Sequence, residues 1–103
     1  MSVFAATEGA YRLQATLSFA TVPEIRPEGL ALIEAAGAQL CIDLSGVSAA
    51  DSAGLALLID WLGNAASSGK QLRYSRLPPA LLALAKLSEV ASLLEGQVVG
   101  KPT

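Results

Sequence analysis

The chain has 103 residues, 52% of them apolar, with 7 basic against 9 acidic side chains and a net charge of −2. That length supports one domain around one core, and the charge balance offers no basic cluster for nucleic acid and no polybasic patch for a membrane surface. No run approaches the ~18 consecutive apolar residues of a membrane-spanning helix; the densest, Ala53 to Ile59, is closed by Asp60. The opening Met1-Ser2-Val3-Phe4 has neither a basic lead nor an apolar signal core, which predicts a cytoplasmic chain. The single cysteine, Cys41, has no partner for an internal disulfide and reads as small apolar filler on a buried strand, in keeping with a reducing compartment.

In chain order, Val3 to Thr7 suits a short edge strand closed by a Glu8-Gly9 turn. Tyr11, Leu13, Ala15 and Leu17 alternate with polar residues as one half-buried strand, completing a hairpin. Thr21 is placed to cap a helix opening at Val22-Pro23. Pro27 interrupts that helix, leaving either a kink or two pieces, the second running from Pro27 to about Ala36 with Gly37 as its stop and Leu30 and Ile33 facing inward. Leu40, Ile42 and Leu44 then alternate with Cys41 and Asp43 up to Ser45-Gly46, a buried strand ending in a turn. A tight loop of small residues follows, and Asp51-Ser52 caps a helix whose Leu55, Leu58, Ile59, Leu62 and Ala66 recur at helical spacing as far as Ser67-Ser68-Gly69. Leu72 and Tyr74 mark another strand. Pro78-Pro79 opens a helix carrying Leu81, Leu84 and Ala85, and Ser88 caps a short fourth helix bearing Val90, Leu93 and Leu94. Val98-Val99 read as a minor strand or as part of a weakly structured tail from about 97 to 103.

Two crossovers of helical length, Val22 to Gly37 and Ser52 to Gly69, join parallel strands and are right-handed. Successive crossovers of one hand, moving one way across a sheet, put their helices on the same face. The prediction is a single α/β domain over residues 1–103, with two layers: a mixed, mostly parallel sheet and helices packed on one face.

The chain contains no histidine. Ser-His-Asp and Cys-His catalysis are thereby excluded, as are ordinary zinc sites. Neither GxxxxGK[ST] nor GxGxxG occurs, so no phosphate loop is encoded. Asp43, Asp51 and Asp60 do not assemble a cation site, because Asp60 lies more than two turns beyond Asp51 on a helix that advances about 1.5 Å per residue. No catalytic residue, metal or cofactor is expected, and the chain reads as a non-enzyme whose partners are proteins.

The strand-loop-helix from Leu40 to Trp61 is where a function is expected. Helix capping, worth about 1 kcal/mol, accounts for one polar residue at Asp51-Ser52 but not for two followed by Ala53-Gly54. Gly54 costs up to ~1 kcal/mol against alanine in a helix, which suggests that something approaches closely over a nearly bare surface. With Leu55, Leu58, Ile59 and Leu62 inside, Leu57 is expected on the opposite side with Ala53, Asp60 and Asn64, and Trp61 at the border. Leu57 and Trp61 then form an anchor for a partner, although burial of Trp61 against the sheet or the last helix is equally open.

Ile42-Asp43-Leu44-Ser45-Gly46-Val47, followed by Asp51-Ser52-Ala53-Gly54-Leu55, resembles the signature of STAS domains, the domains of anti-sigma-factor antagonists and of the cytoplasmic tails of sulfate transporters. Leu17-Ser18-Phe19-Ala20-Thr21-Val22-Pro23, Asp51 to Leu58 and Leu77-Pro78-Pro79-Ala80-Leu81 are similar to the MlaB branch. Its members are the STAS subunits of bacterial ABC systems that move phospholipids between the two envelope membranes and maintain outer-membrane lipid asymmetry. The resemblance implies a cytoplasmic accessory subunit, peripheral to the inner membrane through its partner. That partner is an MlaF-like ABC ATPase in a complex with a membrane permease, with no direct membrane insertion and no nucleic acid. In that branch the hydroxyl residue held here by Ser52 lies at the contact with the ATPase, and together with the reading of the helix face the expected partner-binding residues are Asp51, Ser52, Ala53, Gly54, Leu57 and Trp61. In the antagonists the serine directly after the aspartate is phosphorylated, a place held here by Ser52, while Ala53 stands where many antagonists carry a second serine. The alternative is therefore an anti-sigma-factor antagonist switched at Ser52. A phosphate there would meet the positive end of a helix and add close to two negative charges beside Asp51.

Overall fold

In the computed structural model, which describes residues 3–7, 9–87 and 98–99, the chain opens on an antiparallel hairpin of β1 (Phe4–Thr7) and β2 (Ala10–Leu13). Gly9, at φ +80°, turns the corner in the left-handed region that glycine enters freely. β2 pairs in parallel with β4 (Gln39–Asp43), β4 with β6 (Gln71–Ser75), and β6 with the two-residue β7 (Val98–Val99), giving a sheet of order β1-β2-β4-β6-β7.

Two expectations about strands are corrected. The alternating run from Tyr11 to Leu17 is not one strand. It breaks at Gln14, and β3 (Ala15–Leu17) leaves the main sheet to pair in parallel with β5 (Val47–Ala50), the stretch expected to be a loop. Gly46 makes this crossing possible, since a Cβ there would lie 2.6 Å from the Leu13 carbonyl oxygen and 3.0 Å from Gln14 Cγ. Ala15 N–H donates to the Gly46 carbonyl at 3.3 Å across the same junction.

The segment from Val22 to Ala35 is one helix, α1, with Pro27 inside it, so the two-piece reading does not hold. It buries Ile25, Gly29 and Ile33, while Leu30 is half-buried. Its last turn is closed from outside: Lys70 Nζ donates to the carbonyls of Ile33 and Glu34 at 2.6 and 2.7 Å, satisfying acceptors that a helix end leaves free. α2 (Ser52–Ser67) and α3 (Pro79–Leu87) follow. The fourth helix proposed from Ser88 lies outside the described residues. Among the described residues no helix is long and apolar enough to cross a membrane.

Strand alternation turns Leu40 and Ile42 of β4 and Leu72 and Tyr74 of β6 into the core with Leu58, Trp61, Leu81 and Ala85 of the helices. The Tyr74 hydroxyl is satisfied by donating to the Leu58 carbonyl at 2.6 Å. The domain is thus a small α/β fold, a mixed sheet with a helical layer and a minor parallel sheet.

The buried stripe of α2 differs from the expected one. Leu57, placed by helical spacing on the open side, is 2% exposed, whereas Ile59 and Leu62 are only half-buried. The cause is tertiary. α1 packs along α2 in addition to the sheet and α3, so the interior arc of α2 is wider and rotated. Trp61 is fully buried in the seam between the two helices, with Phe4 of β1 beside it, so of the two readings left open the buried one holds. Its indole lies on Gly29, where a Cβ would come within 2.1 Å of Cζ2. Its Nε1–H donates to the Arg26 carbonyl at 3.3 Å, and Phe4 flanks it at 6.0 Å between ring centroids.

Candidate partner-binding site

Asp51 organises the junction between the minor sheet and α2. Its extended backbone (φ −119°, ψ −169°) makes it the N-cap. Oδ1 accepts the N–H groups of Ala53 at 2.8 Å and Gly54 at 3.3 Å, two of the donors that a helix start leaves free. The other oxygen accepts from the Phe19 N–H at 3.3 Å, and Asp51 N–H itself donates to the Leu17 carbonyl at 3.0 Å. One carboxylate therefore caps α2 and fastens to it the loop between β3 and α1. That loop is braced again by Thr21, whose hydroxyl accepts from Ser18 N–H at 2.9 Å and donates to the Thr16 carbonyl rather than capping α1.

The fastened loop holds Phe19 with 78% of its surface exposed. Phe19 and Pro23 on one side, Ser52, Ala53 and Ala56 on the other, and Leu57 at the floor enclose an open apolar groove of about 520 Å³. Its far end is closed by Arg26, whose Nε lies 2.8 Å from Asp60 Oδ2. Both members of that pair are partly exposed, so the pair adds little stability and serves as a fixed polar rim. Ser52, the first residue of α2, is exposed at the near end of the groove.

The six residues singled out from the sequence therefore separate. Ser52 and Ala53 line the groove and Asp51 holds its two walls together. Leu57 contributes to the floor as a buried residue, not as an outward anchor. Gly54 is explained by the chain itself: a Cβ there would lie 2.6 Å from Leu17 Cβ and 2.9 Å from the Leu17 carbonyl oxygen, so the close approach is that of β3. Trp61 belongs to the interior. Asp43, Asp51 and Asp60 stay apart, each engaged with different groups.

A family model described as Mlab, STAS domain matches residues 4–95. The chain belongs to the MlaB-type STAS family. No curated protein sequence matches it. Among solved structures, the STAS fold is shared with a putative anti-sigma factor antagonist from Thermotoga maritima (TM-score 0.72, 13% identity, 92% of this chain and 82% of that one). A sulfate transporter family protein from Wolinella succinogenes also matches (0.67, 18%, 91% and 79%). A third is the STAS domain of a SulP transporter from Vibrio cholerae (0.59, 13%, 91% and 75%).

Within this STAS domain the residue that sequence reasoning missed is Phe19. It sits in a turn with no periodicity, between the end of β3 and the start of α1, so neither strand nor helix templates assign it a face. The available signal was compositional: a large aromatic between Ser18 and Ala20, in the short segment between a predicted strand and the predicted cap at Thr21. On the sheet face opposite α2, Asp43 is 5% exposed. Burial raises the pKa of its carboxyl, but bonding to Ser45 and the charges of Arg76 and Arg12 outweigh that and hold it below the ordinary value.

Proposed function

We propose that this MlaB-type STAS domain is a non-catalytic subunit that binds and stabilises the ATPase of a phospholipid-transporting ABC complex, an MlaF-like protein, through the groove between Phe19 and Ser52. The observation that carries the reading is the 78% exposure of Phe19 on a loop pinned by Asp51 and Thr21. A large apolar side chain presented on a pinned backbone gains by meeting a second surface, where burying it is worth about 1.5–3 kcal/mol. Because the loop is fixed in advance, little ordering entropy opposes association. An aromatic anchor beside a small-residue ledge, rimmed by a charged pair, has the anatomy of an interface hot spot. By binding the assembled state of the ATPase better than its alternatives, the domain would shift that equilibrium with no chemistry of its own. ATP and magnesium would belong to the partner, and the domain would reach the cytoplasmic side of the inner membrane only through it.

The test is co-purification from the native host followed by ATPase assay. The tagged domain is expected to bring down an ABC ATPase and raise its turnover, and Phe19→Ala and Ser52→Arg to lose both while melting near the parent temperature. A domain that never retains an ABC ATPase, or leaves its turnover unchanged, defeats the reading.

A second reading rests on Ser52, exposed as the first residue of α2. An anti-sigma-factor antagonist phosphorylated there would gain a favourable phosphate at the helix start and lose a dry interface. Phosphate on Ser52 in cells, together with binding to a kinase-type anti-sigma factor that Ser52→Asp abolishes, would favour it over the ATPase.

A further inference from the structure

The sheet face that carries no helix among the described residues holds a second constellation, separate from the groove. Alternation along β4 and β6 leaves Cys41, Asp43, Arg73 and Ser75 on this face. Arg12 of β2 stands beside Asp43 in register, and Arg76, at φ +55°, closes the end of β6. Three of the four arginines of a chain with net charge −2 thus lie on one face or at its edge. Among the described residues of β2, β4 and β6, the acidic side chain is Asp43 alone. A polar pocket of about 460 Å³ opens between Arg12, Arg76, Ser75, Cys41 and Thr7, with Asp43 at its base.

Asp43 pairs loosely with both arginines that face it and can neutralise only one of them. Its Oδ1 accepts from Ser45 N–H at 2.8 Å, while Oδ2 is 3.6 Å from Arg12 Nε and 3.9 Å from Arg76 Nη1, longer than a formed N–H···O bond. One carboxylate opposite two guanidiniums leaves a positive charge uncompensated. Arg12 Nε is buried and has no hydrogen-bond acceptor among the described residues, a condition that native interiors avoid. The Ser75 hydroxyl takes a weak S–H contact from Cys41 at 3.8 Å and keeps its own proton to donate. Among the described residues the pocket therefore gathers donors and positive charge and is short of acceptors.

We propose that this pocket binds a phosphate-class oxyanion, gripped between Arg12 and Arg76 with the Ser75 hydroxyl as third donor. Planar guanidinium forks match pairs of phosphate oxygens, and donors from two strands and a loop suit a tetrahedral anion better than a planar carboxylate. The source is inorganic phosphate, a small phosphomonoester or a phospholipid headgroup. The site stands independently of the groove and of the partner proposed for it.

The experiment is an NMR titration of the full chain with inorganic phosphate, against sodium chloride at matched ionic strength, reading backbone amides and the Arg12 Nε–H signal. Phosphate is expected to shift Arg12, Ser75 and Arg76 saturably where chloride does not. Arg76→Gln, at a side chain 69% exposed and so tolerated by the fold, is expected to weaken binding about tenfold. Lys86→Gln, which removes the same charge from α3, should leave binding unchanged, and Asp43→Asn, which removes the competing carboxylate, should tighten it. Sedimentation with phosphatidylcholine vesicles, with and without phosphatidic acid, then separates the sources. Phosphate-competed binding to the acidic vesicles assigns a lipid headgroup, and saturable phosphate binding without it assigns a free phosphate or phosphomonoester. Shifts no larger than those from chloride, equal losses in Arg76→Gln and Lys86→Gln, or displacement of phosphate by equimolar acetate would overturn the proposal.

Discussion

Two aromatic residues mark two ends of the same pair of helices, and their environments are opposite. Trp61 is sealed between α1 and α2, its ring on Gly29, its Nε1–H on the Arg26 carbonyl and its flank on Phe4. Phe19, on the loop that enters α1, is 78% exposed and is held there by a hydrogen bond from its own backbone to Asp51. The contrast shows that a large apolar side chain is interior only where another element leaves a cavity for it. Gly29 provides one. At the other end, Ala53 and Ala56 provide only a wall, and the groove stays open. The seam is filled and the groove is open.

The difference can be broken from the sealed side first. Trp61→Ala is expected to cost about 3–5 kcal/mol, as for other large-to-small changes in a packed core, measured by urea unfolding. Gly29→Ala should cost roughly 1–3 kcal/mol by overpacking. Combined with a smaller ring in Trp61→Phe, the two costs should be markedly less than additive, because both act through one contact.

Asp51→Ala belongs to both regions. Loss of the cap should reduce stability by about 1 kcal/mol, and release of the Phe19 loop should weaken ATPase capture beyond what the change in melting explains. Binding that survives intact would show that the loop needs no fastening.

Tyr74 sharpens the sealed side through pH. Burial, and secondarily the charge of Asp60, raise its folded pKa well above the ordinary 10.0. The stability associated with its neutral form is therefore fully present below 10.0 and is lost as pH rises toward the folded value. Tyr74→Phe should cost about 0.5–1.5 kcal/mol at neutral pH, from the lost bond to the Leu58 carbonyl, and should flatten the alkaline limb of a stability profile. Phe19→Ala is expected to change stability least, within ~0.5 kcal/mol, and to leave that limb as it is while removing partner binding. An equal loss of folding would return Phe19 to the structural side of the comparison.

The parts of the candidate site that could be read in advance were those encoded locally. Asp51 caps α2 as its position before an apolar helix requires, and Ser52 is exposed as the first helical residue. Leu57 was misplaced because helical periodicity assumes a single buried face, and α1 supplies a second; for Trp61, left open between border and interior, the same neighbour decides for the interior. The small residues Ser48-Ala49-Ala50 carry no strand signal, and β5 exists because β3 offers its backbone beside them. Gly54 was rightly marked as a place of close approach, but the approaching atoms belong to Leu17.

The sequence by itself determined the alternating strands, the helical crossovers, the cap at Asp51 and the absence of histidine-dependent chemistry, since each depends on residue types a few positions apart. The tertiary structure decided which aromatic is hidden and which is exposed, that Gly29 is a seat for an indole, and that two arginines, one from a strand and one from a loop, meet over one carboxylate. Those outcomes depend on elements distant in the chain meeting in space, and no local pattern records which surfaces will find a neighbour.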